Sequence, residues 1–187
     1  MPIASAAPDV LLGSAQPDWK GAWSNSIKYK NLSLNFLIDA RIGGKIYSQT
    51  SADLDRNGVS ERSLQYRETG ITVSGTNTGT GSANTESITG QQYWTAMSNI
   101  SENYIYDQDN IRLRELSLGY SIPLKSNKVG LQSATVQVVG RNLFFLMNKA
   151  EDIDPESMLG TSIGVQGLSH NAMPTLRSIG LNLNLTF

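Results

Sequence analysis

Apolar and polar residues alternate with a period of two in five stretches of this chain, and the last stretch is the most regular. Ile179, Leu181, Leu183, Leu185 and Phe187 alternate with Ser178, Gly180, Asn182, Asn184 and Thr186 up to the final residue. That period sets the apolar side chains on one face of a β-strand and the small polar ones on the other. Leu32, Leu34, Phe36, Ile38, Ala40 and Ile42 are opposed in the same way to Ser33, Asn35, Leu37, Asp39 and Arg41. Just upstream, residues 23–29 alternate large and polar side chains, and the short Lys30-Asn31 link makes the pair an antiparallel hairpin. Leu116, Leu118, Tyr120 and Ile122 alternate with Glu115, Ser117, Gly119 and Ser121, and Arg112 and Arg114 extend the apolar phase upstream. Pro123 ends that strand, having no N–H to give to a ladder. Ala134, Val136, Val138 and Gly140 oppose Thr135, Gln137, Val139 and Arg141. The predicted strands are therefore about 20–30, 32–46, 110–123, 133–147 and 174–187.

The links between them are as informative. Residues 47–109 and 148–173 carry no sustained period, and the turn-forming runs Asp53-Leu54-Asp55-Arg56-Asn57-Gly58 and 74–82 mark the first of these as loop. A structureless connection of roughly 60 residues argues against a compact soluble domain, whereas long loops on one side are expected of an outer-membrane barrel. Counted back from Phe187, the links run long, short, long, short. A barrel with its carboxy-terminus in the periplasm predicts this asymmetry, with short links near Lys30 and Lys125 inside and long loops outside. On this reading Arg112 and Arg114 sit at the extracellular end of their strand, Tyr120 near the periplasmic end, and Asp39 and Arg41 point into the lumen. The fold class is all-β, an antiparallel transmembrane β-barrel segment with long extracellular loops. The alternating Ile179, Leu181, Leu183, Leu185 and terminal Phe187 resemble the signal read by the barrel-assembly machinery.

Composition narrows the function classes. The 187 residues carry 15 basic and 16 acidic side chains, which removes the electrostatic case for a nucleic-acid surface. There is no cysteine, so disulfide frameworks and thiolate metal sites are excluded. The longest apolar run, residues 143–147, is far too short for a membrane helix, while a barrel hides its span in alternation. Residues 1–8 lack the basic and apolar regions of a secretion signal. An exported protein needs one, so the chain is expected to be the carboxy-terminal piece of a longer protein.

Six phrases then point to one family. Gly13-Ser14-Ala15-Gln16-Pro17-Asp18-Trp19 resembles the G-N-A-x-P-D-W entry of the SusC/RagA family of TonB-dependent outer-membrane receptors. Residues 37–44, ending in Gly43-Gly44, resemble its next strand and glycine pair, and residues 112–123 its R-L-R-x-L-x-L-x-Y-x-x-P strand. Gly140-Arg141-Asn142-Leu143-Phe144 is similar to its G-x-N-L-F segment, Asp154-Pro155-Glu156 to its acidic turn, and the terminal Phe187 to its last residue. The resemblance implies about the last five strands of a large plugged barrel, of the 22-stranded transporter type, in the outer membrane of a Gram-negative bacterium. It implies import of oligosaccharides or peptides, energy taken through TonB, and a surface lipoprotein of the SusD type as lid. The plug domain, the TonB-contacting segment and the signal peptide of the family have no counterpart in these residues. The competing reading is a soluble all-β binding or adhesion domain of a secreted protein, with its apolar faces packed together.

Candidate chemistry is sparse. Asp53, Asp55 and Asn57 match the first half of a D-x-D-x-N-G calcium loop, but Leu64 occupies the position of the bidentate Glu. A weak calcium site and an ordinary turn both fit. His170 is the sole histidine and has no partner at ligand or catalytic spacing. Asp152, Asp154 and Glu156 form a short acidic cluster that reads as a solvated turn. No nucleophile elbow, phosphate-cradling loop or acid/base carboxylate pair is found, so no enzymatic activity and no cofactor is expected. Tyr93, Trp94, Tyr104 and Tyr106 in the long loop offer rings either to a ligand or lid or to packing within the loop. No single residue stands out as ligand-binding.

Overall fold

The computed structural model describes residues 1–4, 10–124, 130–150, 153–158, 160 and 162–187. Parts of the basic link and of the chain start, residues 125–129 and 5–9, and Asp152 of the acidic cluster lie outside the described residues. The chain divides into two compact units. One, the sheet unit, comprises 16–44, 107–156 and 174–187; the other, the loop unit, comprises 1–15, 45–106 and 157–173.

Five strands build the sheet unit: β1 (Trp19–Tyr29), β2 (Leu32–Ile42), β7 (Asn110–Ile122), β8 (Ser133–Asn148) and β10 (Ser178–Thr186). They lie side by side in the order β1-β2-β7-β8-β10, and every neighbouring pair is antiparallel. Lys30-Asn31 closes the β1–β2 hairpin as a two-residue link, with Tyr29 opposite Leu32 and Lys30 at φ 52°. The strand foreseen over 32–46 stops at Ile42 instead. Gly43 and Gly44 take φ of 80° and 88°, which a strand residue cannot hold, and a Cβ on Gly43 would strike the Asp18 backbone nitrogen at 2.8 Å. The final strand likewise begins at Ser178 rather than at 174.

The loop unit is structured where the sequence shows no period. It holds β3 (Lys45–Ser48), α1 (Gln49–Arg56), the two-residue strands β4 (Ile71–Thr72) and β5 (Ser87–Ile88), and α2 (Gly90–Met97). A small sheet orders β6 (Ile105–Asp107), β3 and β9 (Leu168–Ser169), with β3 and β9 parallel. Both helices have eight residues, too few to be stable alone or to print a convincing 3.6 period. Caps define them instead. Ser48 accepts from the Ser51 N–H, and Thr89 with Gln92 forms a reciprocal capping box on α2. Ile46, Ala52, Trp94 and Tyr104 supply the buried apolar side chains of this unit.

Candidate functional site

The two faces of the five-stranded sheet differ in chemistry. Directly paired residues share a face, so register gives the composition of each row. One row runs Ile27, Leu34, Leu118, Val138, Leu181 across all five strands. The next runs Tyr29, Leu32, Tyr120, Val136, Leu183. Trp23 and Phe36 meet edge to face on the same side at 5.1 Å. No charged residue falls on this face of the described strands, yet its side chains are exposed, Leu118 at 54% and Leu181 at 73%. Such a large uncovered apolar surface marks a contact with lipid or with another apolar partner. The opposite face is polar: Lys28, Ser33, Gly119, Gln137 and Asn182 form one row. Asn35 Nδ2, in the row beside it, and Gln137 Nε2 both donate to Ser117 Oγ, at 3.1 and 2.9 Å.

The alternation expectation for Arg112 and Arg114 needs correction. Leu37 pairs with Glu115 but Ile38 with Leu113, leaving Arg114 as an extra, bulged residue. On β8 the same level is taken up by Asn142, which holds φ 51°, and Leu143. The bulge shifts the phase by one, so Leu113 joins the apolar face and Arg112 the polar one, opposite Asp39.

There the two arginines gather the acidic turn. Arg112 is 3% exposed, donates through Nη1 to Glu156 Oε2 at 2.8 Å, lies 3.5 Å from Asp154 Oδ2, and stacks its guanidinium 4.5 Å from the Phe145 ring centroid. Arg114 reaches Asp39 Oδ2 through Nε and Nη2 at 2.9 and 2.8 Å, and also pairs with Glu156. Burial by itself would raise the Asp154 carboxyl. Hydrogen bonds from Thr175 and from the Glu156 N–H, with the charge of Arg112, outweigh it and hold that group below the usual carboxylate range. The segment 154–156, read from sequence as a solvated turn, is thus an ion-paired clamp.

In the loop unit Asp53 and Asp55 lie on α1, and Asn57 caps its C-terminus. Helical residues two apart point to different sides, so the three do not converge as a calcium loop requires. Asp53 accepts from Gln49 Nε2, while Asp55, 1% exposed, takes Ser60 Oγ, Arg62 and Tyr104 Oη at 2.5, 2.5 and 2.8 Å. Burial first, then the bond to Asp55, raises the Tyr104 phenol well above its ordinary value. Among the described residues no group of three or more His, Asp or Glu is placed to hold a metal ion. His170 is exposed in the loop after β9. Tyr93 packs edge-on against Tyr66 and Trp94, Trp94 Nε1 donates to the Gln65 carbonyl, and Tyr104 is buried. These rings serve the loop's own packing.

No family model matches the chain. Among curated proteins, TonB-dependent receptor P3 of Formosa agariphila is 25% identical over 189 residues, spanning 98% of this chain and 18% of that protein. TonB-dependent receptor P26 of the same bacterium is 29% identical over 193 residues, spanning 99% of this chain and 18% of that protein. The chain thus spans 18% of the length of the curated relatives it matches. The RagAB peptide importer in its closed-closed state superposes with a TM-score of 0.65 at 17% identity, covering 95% of this chain and 18% of that one. A second RagAB peptide transporter structure gives 0.60 at 20% identity, covering 94% and 18%. At such identities the structural likeness is one of fold. The near full-length sequence match and the two-faced antiparallel sheet agree with it: the chain is similar to TonB-dependent receptors of the SusC/RagA type.

Proposed function

We propose that this chain supplies five membrane-spanning strands to the barrel of an outer-membrane importer of oligosaccharides or peptides in a Gram-negative bacterium. The observation that carries the reading is the exposed apolar face, free of charge across five strands of 9 to 16 residues, set against a hydrogen-bonded polar face. Strands of this length, tilted, match the hydrocarbon thickness. β1 and β10 are the two edges of the sheet, and an unpaired edge is untenable in lipid, which supports further strands pairing there in a plugged barrel. Energy would come through TonB at the periplasmic side, with a SusD-type surface lipoprotein over the long loops. β10, with Ile179, Leu181, Leu183, Leu185 and the terminal Phe187 all exposed, would be the strand presented to the barrel-assembly machinery.

An immunoblot of fractionated membranes with an antibody against residues 174–187 tests this. The expected result is an outer-membrane band several times larger than 20.3 kDa. A band near that mass in the soluble fraction would overturn the reading in favour of a soluble all-β binding domain.

A further inference from the structure

The loop unit contains an open cleft of about 600 Å³ lined by the C-terminal end of α1, the 58–67 segment and the first turn of α2. Two of its lining residues, Arg56 and Arg67, are cationic and spend their bonds on neutral acceptors. Arg56 donates through Nε to Ser98 Oγ at 3.1 Å and through Nη2 to Asn99 Oδ1 at 3.3 Å, and Arg67 through Nη2 to the Gly58 carbonyl at 2.6 Å. Neither guanidinium meets a carboxylate among the described residues. The one carboxylate in the lining, Asp55, is already satisfied by Arg62, Ser60 and Tyr104. The cleft therefore keeps two arginines outside any ion pair among the described residues, each with N–H donors to spare from a set of five.

The two side chains reach the cleft from different segments. Tyr66 holds φ 63°, and Gly90 packs so closely beneath it that a Cβ there would lie 2.7 Å from the Tyr66 carbonyl oxygen. This contact sets Arg67 beside the start of α2, where the capping box engages the Gln92 N–H. A planar acceptor with two oxygens is the partner that a guanidinium with spare donors fits.

We propose that this cleft binds a carboxylate group of an incoming ligand, a chemistry shared by uronic-acid sugars and acidic peptides. That the ligand is a nutrient in transit rests on the import reading; the binding itself does not. The test is calorimetric titration of the full-length protein, purified from membranes in detergent, with four probes: trigalacturonate, its neutral methyl ester, triglutamate and triglutamine. Expected is saturable binding of at least one acidic probe, weakened by salt, with its neutral counterpart at least about tenfold weaker. Which acid binds identifies the source of the carboxylate. The double variant Arg56→Gln, Arg67→Gln should lose a similar factor while the Lys pair retains part of it. Equal binding of acidic and neutral probes, or no acidic binding at millimolar concentration, would overturn the proposal. The probe comparison on the unaltered protein decides it even if the variants fail to fold. A soluble protein in the fractionation experiment would sink import without touching this result.

Discussion

Arg112 stands directly across the β2–β7 ladder from Asp39, on the polar side of the sheet. One bulged residue, Arg114, accounts for this, and its own guanidinium then spans Asp39 and Glu156. The bulge thus converts two charges that would face the apolar side into the anchor for the acidic turn. A bulge that re-aims side chains in this way is a designed feature of a strand.

Removing Arg112 should be costly. Arg112→Gln leaves Asp154, 6% exposed, without its cation and Glu156, 19% exposed, with Arg114 alone, and breaking a buried pair of this kind costs about 3–5 kcal/mol. The expected outcome is earlier thermal loss of the heat-modifiable band and faster proteolysis at residues 148–173. Arg112→Lys should rescue little, because the planar fork and its stacking on Phe145 are lost.

The clamp should also open in acid. The Asp154 pKa is depressed in the folded protein, so its contribution is fully present above the ordinary carboxylate value of about 4 and fades as pH falls through the lower, folded one. Proteolysis of the 148–173 loop is therefore expected to be flat from pH 7 to about 5 and to accelerate below about 4. Asp154→Asn should be susceptible already at neutral pH and lose most of that acid step.

Charge on the two faces should have opposite consequences. Leu118→Arg places a cation at mid-strand on the exposed apolar face, a cost of about 2–4 kcal/mol at the bilayer midplane. Assembled protein in the outer membrane should fall severalfold. Gln137→Arg, one residue away on the neighbouring strand but on the polar face, should assemble close to normally.

In the loop unit, Thr89→Ala removes the capping box of α2 and should cost about 1 kcal/mol. Gly90→Ala should cost more, because its Cβ meets backbone at Tyr66 rather than a movable side chain. Hydrogen exchange across Gly90–Met97 measures both, with the order Gly90→Ala worse than Thr89→Ala as the expected result.

Much of the sheet was legible from side-chain period alone, because a strand with two unlike faces must alternate. Ile27, Leu34, Leu118, Val138 and Leu181 could each be assigned to the apolar face before their registry was known. What period cannot see is a change of phase: counting by twos carries Arg112 across the bulge at Arg114 without notice. The Gly43-Gly44 pair falls inside the strand predicted over 32–46, and only its positive φ angles show that β2 ends before it. The short helices escaped because eight residues and one cap weigh little against a turn-rich background. Asp53, Asp55 and Asn57 illustrate the same ambiguity, since one spacing serves a calcium loop and a helix end alike. The cleft of Arg56 and Arg67 joins residues with no shared motif, and only the fold brings them to one place.

The most direct test of the account is where each sheet face meets its solvent. These 187 residues contain no cysteine, so single Leu118→Cys, Leu181→Cys, Gln137→Cys and Asn182→Cys variants, with any cysteine elsewhere in the protein replaced by serine, can be spin-labelled in bilayers. Collision with oxygen reports lipid, and collision with a water-soluble nickel chelate reports the aqueous phase. Labels at 118 and 181 should favour oxygen, and those at 137 and 182 the chelate. Equal water access on both faces, or an apolar face shielded from both reagents, would contradict a membrane-spanning sheet.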